Sequence, residues 1–165
     1  MTAEEVISKL KLSPLPEEGG YYRRTYASEQ TFPAHLFKTS FLGTRHFSTA
    51  IYYLITPSQF SALHRLPQDE ILHFYSGEPV EMLCIDTDEK ISTIILGSDI
   101  NKDQRPQVIV PQGVWQGTRL LKEEGWALLG ATVSPGFEFS DLEVAGNDLL
   151  ERFPNEREKI KHFIR

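Results

Sequence analysis

Two stretches of this chain place acid–base and hydrogen-bonding side chains inside apolar, strand-like surroundings. The first runs from Ser61 to Gly77 and contains His64, Gln68, Asp69, Glu70 and His73; the second runs from Gln107 to Gln116. Side chains alternate between two faces along an extended segment, so Glu70 shares a face with Leu72 and Phe74. His73 points to the other face unless a bulge intervenes. A carboxylate on an inward face beside Leu and Phe is costly unless something polar meets it. Glu70 is therefore the strongest candidate for a functional residue. The alternative, an outward and solvated Glu70, would put Leu72 and Phe74 in water.

His64 and Glu70 together make a candidate general acid–base pair in a partly dry site. Gln116 can both donate to and accept from a hydroxyl or carbonyl of a substrate, and Phe74, on the Glu70 face, is a candidate apolar contact for it. Trp115 precedes Gln116, so in an extended segment it faces away and is expected to pack. His35 and His46 lack an acidic neighbour at ligand spacing. Cys84 is the only cysteine and lies in the apolar run Met82–Ile85, which predicts a buried, inert thiol rather than a nucleophile.

The elements that must position these residues are mostly strands. Thr2-x-x-Glu5 is a capping box followed by Val6, Ile7 and Leu10 at helical spacing, which predicts a short N-terminal helix. Short β-type runs follow at Tyr21–Ala27, Ser48–Thr56, Ile71–Tyr75, Val80–Ile85, Ile91–Leu96, Gln107–Val110 and Trp126–Val133. Glycines, prolines and Asp86-Thr87-Asp88 punctuate them. A second capping box, Asn155-x-x-Glu158, with Ile160, Phe163 and Ile164, predicts a closing helix. The pattern is that of a single mainly β domain over residues 1–165, a sandwich or jelly-roll barrel with short terminal helices.

His64-x5-Glu70-x6-Gly77 resembles the first motif of the cupins, and Pro111-x-Gly113-x2-Gln116 resembles the second. The blocks Glu18–Arg23, Ser48–Leu54, His64–Leu66 with Asp69-Glu70, Val110–Gln116, and Ser134–Phe137 with Phe139–Asp141 are similar to a cupin branch of uncharacterised function. That likeness spans roughly residues 8–145. It implies a jelly-roll β-barrel around a small-molecule pocket, a homodimer, and four metal-ligand positions. Two of those four depart from the pattern: Leu66 and Gln116 stand where histidines are expected, and Arg105 replaces the glycine that opens the second motif. Only His64 and Glu70 keep their usual chemistry. The amide of Gln116 is a weak substitute for imidazole on a transition metal.

Tyr21–Tyr26 interleaves aromatics with two arginines, placing Tyr22, Arg24 and Tyr26 on one face and Tyr21, Arg23 and Thr25 on the other. The resemblance selects Arg23 as the one reaching the pocket to hold a carboxylate or phosphate. Three functions follow from the family likeness. The first is an isomerase or epimerase acting on a sugar-derived or other small polar substrate. The second is a metal-dependent oxygenase or lyase with a divalent transition metal on His64, Glu70 and Gln116, and the third is a ligand-binding module without catalysis. A net charge of −6 argues against a nucleic-acid surface. The acidic N-terminus lacks the basic region of a signal peptide, and no run approaches the roughly 18 apolar residues of a membrane span. A cytoplasmic location is expected.

Overall fold

The computed structural model describes residues 1–36 and 43–165. The chain forms α1 (Ala3–Leu10), β1 (Ser13–Pro14), β2 (Tyr21–Ala27), β3 (Thr31–Pro33), β4 (Thr44–His46), β5 (Thr49–Ile55), β6 (Ser61–Arg65) and β7 (Asp69–Gly77). It continues through β8 (Val80–Ile85), β9 (Ile91–Leu96), β10 (Gln107–Val110), β11 (Trp115–Leu120), β12 (Ala127–Ser134), β13 (Glu143–Val144), α2 (Asp148–Arg152) and α3 (Arg157–Lys161). One antiparallel sheet has the order β1-β2-β5-β12-β7-β10, and the second has the order β13-β6-β11-β8-β9. They pack face to face as a jelly roll. No helix among the described residues is long and apolar enough to cross a membrane.

Three apolar clusters hold this arrangement. The largest lies between the sheets and includes Ile55, Leu72, Met82, Val110 and Leu129. A second packs Leu149, Leu150, Ile160 and Phe163 from the closing helices onto Leu63, Leu83, Ile85 and Trp115 on the outer face of the second sheet. A third seats Val6 of α1 against Leu54 of the first sheet. Strands covered on both faces need apolar residues at successive positions, which is why Met82–Ile85 within β8 reads as a continuous run rather than an alternation.

The Thr2 capping box forms as expected: Thr2 N donates to Glu5 Oε2 at 2.8 Å, and Glu5 N to Thr2 Oγ1 at 3.3 Å. The Asn155 box does not. Pro154–Glu156 is a 3-10 turn, so the helix after it starts at Arg157 and Asn155 sits inside the turn rather than at the cap. β6 and β11 had no counterpart among the predicted strands, because their inward positions carry Ser61, His64, Gln116 and Thr118 rather than apolar residues.

A bulge in β6 decides which of its side chains reach the interior. Gln116 pairs with His64 and Thr118 with Ser61, so β6 spends three steps where β11 spends two. Strict alternation would put Ser61 and His64 on opposite faces; the extra residue turns both inward. The bulge frees the backbone groups of Leu63, which find new partners: its N–H donates to Phe163 O at 2.7 Å, and its carbonyl accepts from Ala145 N at 2.8 Å. The facing strand must also come close. A Cβ at Gly117 would lie 3.0 Å from the Leu63 backbone and 3.1 Å from Ser61 O.

Gly117→Ala is accordingly expected to push β6 away and cost about 1–3 kcal/mol of unfolding free energy, the usual range for overpacking. Urea melts read this directly. An unchanged midpoint would mean that the bulge does not depend on the bare glycine.

Candidate functional site

The site begins with a double glycine. Gly19 (φ +98°) and Gly20 (φ +72°) are both in the left-handed region, and a Cβ on Gly19 would fall 2.4 Å from Phe60 O. Only glycine lets the chain approach β6 this closely. The turn is pinned by Ala62 N donating to Glu18 O at 2.8 Å and by the Tyr53 hydroxyl donating to Gly19 O at 2.8 Å. It delivers the Glu18 carboxylate to the interior, where Oε1 accepts from the Ser61 hydroxyl at 2.8 Å and Oε2 lies 3.8 Å from His64 Nε2.

His64, Glu70 and Gln116 are brought together, each buried. His64 Nδ1 is 2.7 Å from the Ala62 carbonyl. A carbonyl can only accept, so Nδ1 carries the proton and, in the neutral ring, Nε2 is the acceptor. Gln116 Nε2, 2.7 Å from His64 Nε2, therefore donates to it; the same amide nitrogen donates to Glu70 Oε2 at 2.9 Å. Both amide hydrogens are spent. Gln116 Oε1 and the nearby Thr118 Oγ1 are buried and have no hydrogen-bond partner among the described residues.

Burial raises the Glu70 carboxyl from the ordinary 4.5 to about 7, against the opposing pull of His64; the Glu18 charge raises it further and the Gln116 bond lowers it. Burial also pushes the Tyr53 phenol well up, with Glu18 adding to it. The Cys84 thiol is pushed up to about 11 by burial alone, which keeps it protonated at neutral pH.

Glu18, Tyr53, His64, Glu70 and Gln116 line a cavity of about 520 Å³. Its walls differ in chemistry. The first sheet contributes Tyr22, Ile51, Leu72, Ala131 and Val133, while the second contributes Ser61, His64, Gln116 and Thr118. Glu70 stands on the first sheet at the start of β7 and reaches across to the polar wall. Phe137 and Phe139 lie at the rim, where Phe139 meets Tyr22 edge-on at 6.1 Å.

The remaining expected residues fall differently. Phe74 packs against the main core and is not among the cavity residues. A bulge at Tyr75 follows it, and the ring of Tyr75 covers Gly130 on the outer face. His73 is on that outer face too, 3.2 Å from Thr132 Oγ1. Trp115 packs under the closing helices as expected. Of the two arginines, Arg23 pairs in register with Tyr52 and stacks over its ring at 5.5 Å, whereas Arg24 pairs with Ile51 on the cavity side. Both border the mouth, but the register aims Arg24 inward. Glu18, Ser61, Thr118 and Arg24 carried no sequence-based expectation of a site role. For Glu18, the consecutive glycines after it were the available signal.

The donor set does not fit a resident divalent metal. The ring lone pair of His64 Nε2 and one oxygen of Glu70 already accept from Gln116, and Leu66 brings only methyl groups to the same cavity. Among the described residues, no group of three or more His, Cys, Asp or Glu is placed to hold a metal ion.

Comparison with known proteins agrees with this architecture. The structure of protein SO0799 from Shewanella oneidensis superposes with a TM-score of 0.88 at 31% identity, covering 100% of this chain and 98% of that one. A Saccharomyces cerevisiae protein, YML079W, itself described as uncharacterized, is 26% identical over 155 residues, 89% of this chain and 73% of the yeast protein. Bacillus subtilis oxalate decarboxylase, described as having Mn(II) centres, shares the fold alone, with a TM-score of 0.55 at 13% identity over 93% of this chain and 38% of its own. The family model described as "Cupin superfamily (DUF985)" matches residues 4–145, and with it the motif blocks around His64, Glu70 and Gln116: the chain belongs to this family of the cupin superfamily.

Proposed function

We propose that the chain is a metal-independent isomerase or epimerase that moves a proton on a small, hydroxyl-bearing carbonyl compound. The observation that carries this reading is the buried Glu70 carboxyl, raised by burial to about 7 and tied through one amide to His64 inside a cavity large enough for such a ligand. A carboxyl that is half ionised near neutral pH is matched to taking and returning a proton.

In this reading Glu70 removes the proton next to the substrate carbonyl, and the C–H electron pair moves into the adjacent bond, leaving the charge on the carbonyl oxygen. The Thr118 hydroxyl, which has no hydrogen-bond partner among the described residues, supplies a hydrogen bond to that oxygen. Return of the proton to the other face or the neighbouring carbon completes the change. Gln116 holds Glu70 and His64 in register and presents Oε1 to a substrate hydroxyl. His64, fixed by Ala62, accepts a hydrogen bond and takes the second proton when one must be exchanged.

The chain is further proposed to work as a homodimer. β1 covers β2 only at Tyr21 and Tyr22, and the rest of that edge, with the exposed Tyr26, is free among the described residues. Light scattering at micromolar concentration is expected to give twice the 18.8 kDa chain mass, and a mass of one chain would reject pairing.

Glu70 also sets a pH signature. Folded, it keeps its proton up to about 7; unfolded, it loses it near 4.5. Across that window the unfolded state binds fewer protons, so stability falls as pH climbs from 4.5 to 7 and is flat above. Glu70→Gln is expected to remove this slope and to hold or raise stability above pH 7, by on the order of 1–3 kcal/mol. The wild type incubated in deuterated water with a panel of aldoses, ketoses and their phosphates is expected to exchange a carbon-bound proton visible by NMR, and the variant to exchange none. A wild type that exchanges with no member, or a variant that matches it, overturns the proton-transfer reading.

The last expectation concerns the displaced imidazoles. Positions 64, 66, 70 and 116 all border one cavity. Leu66→His with Gln116→His would free His64 and Glu70 from the amide and add two ligands. Calorimetry with Zn²⁺ is expected to show a gain of at least about tenfold, some 1.4 kcal/mol. A folded double variant with no gain would mean that the four positions do not converge.

A further inference from the structure

We infer that the ligand of this cavity carries an anionic group, a phosphate or carboxylate, held at the mouth by Arg24 and Lys11, with a hydroxyl-bearing end on Gln116 Oε1 and Thr118 Oγ1. This rests on the reading of the cavity as a substrate site and names the class of that substrate.

The cavity is electrically divided. Its depth holds Glu18 and Glu70, which would repel an anion seated there. Its mouth holds three cations: Lys11, which ends α1 in the left-handed region (φ 54°), and Arg23 and Arg24 on β2. Among the described residues none of the three is in an ion pair. Arg23 rests on the Tyr52 ring, and Arg24 Nη2 spends one hydrogen bond on Phe137 O at 3.0 Å, which orients the guanidinium across the rim and leaves its other donors for a ligand. Glu138 also borders the mouth; its backbone carbonyl accepts from Asp141 N at 2.9 Å and its N–H donates to Asp141 Oδ2 at 3.1 Å, and among the described residues no ion pair joins it to the three cations. A guanidinium fork and an ammonium are the groups that recognise phosphate and carboxylate. On a chain of net charge −6, such a concentration of cations at a cavity mouth reverses the general repulsion of anions.

The inner end fixes the orientation. Gln116 has both amide hydrogens committed, so Oε1 can only accept, and only a ligand O–H or N–H satisfies it. A phosphate dianion or a carboxylate has no hydrogen to give. Thr118 Oγ1, adjacent on the same face of β11, can donate or accept. Hydroxyls therefore go in first and the anion stays at the rim, with the Ile51–Val133 wall against the carbon skeleton.

The test is calorimetric titration with charged compounds beside their neutral parents: glycerol 3-phosphate with glycerol, ribose 5-phosphate with ribose, and glucose 6-phosphate and glucuronate with glucose. At least one charged member is expected to bind about tenfold or more tightly than its parent, with the gap closing as salt rises. Glucuronate separates a carboxylate site from a phosphate site. Arg24→Gln and Lys11→Asn are each expected to shrink the gap; asparagine tolerates the left-handed backbone of position 11, and that variant leaves the Arg24–Phe137 contact intact. Thr118→Val is expected to weaken charged compounds without closing the salt-dependent gap. No gap for any pair, or a gap that survives both rim variants, overturns the inference. Absence of the gap in the wild type with isotope exchange intact rejects the rim alone, and a gap without exchange rejects the proton-transfer reading alone.

Discussion

One amide group holds the interior of this protein together. Gln116 sends its two hydrogens to His64 Nε2 and Glu70 Oε2, joining the second sheet to the start of β7 on the first. The imidazole can accept only because the Ala62 carbonyl fixes the proton on Nδ1, and that carbonyl is in place only because β6 is bulged. Remove the amide hydrogens and a buried carboxylate faces a buried imidazole across a dry gap, each with an unsatisfied lone pair. His64 and Glu70 are also the residues that, by the family likeness, would hold a metal in a cupin with histidine at position 116. The amide joins them without a charge of its own, and burial, opposed by His64 and by the Gln116 bond, raises the Glu70 carboxyl to about 7.

What the sequence made legible and what it hid follow one physical rule. Strands whose inward face meets the apolar core, such as β8 and β9, were readable end to end. So was the parity that turns Glu70 inward with Leu72. β6 and β11 were not, because their inward residues answer to a polar cavity and break the apolar pattern that marks a strand. Phe74 was expected beside Glu70 in the site, and alternation does keep it inward, but the cavity ends before it. His64 and Glu70 could be paired from the family motif, whereas Glu18 could not. Its arrival depends on a long-range approach, Gly19 against Phe60, that leaves only two glycines as a trace. Arg23 and Arg24 were separable by alternation, and both border the cavity, Arg23 in register with Tyr52 and Arg24 with Ile51.

The division of the cavity into an apolar and a polar wall has the same origin. Its first-sheet positions, Ile51, Leu72, Ala131 and Val133, continue the core packing of their own strands. The second sheet can offer polar groups because its apolar cost is met on the opposite face, where Leu63 and Trp115 lie under the closing helices. A bulge inverts the alternation between Ser61 and His64, so one strand serves both the core behind it and the chemistry in front.

That service ties the site to both ends of the described chain. Glu18 comes from the N-terminal segment, while the bulged Leu63 has its N–H taken by Phe163 and its carbonyl by Ala145. The strands of both sheets are complete at β13, yet the Leu63 N–H beside His64 takes its partner from Phe163, after both closing helices. The backbone beneath the cavity's imidazole is thus completed by residues that lie later in the chain than the strands enclosing it.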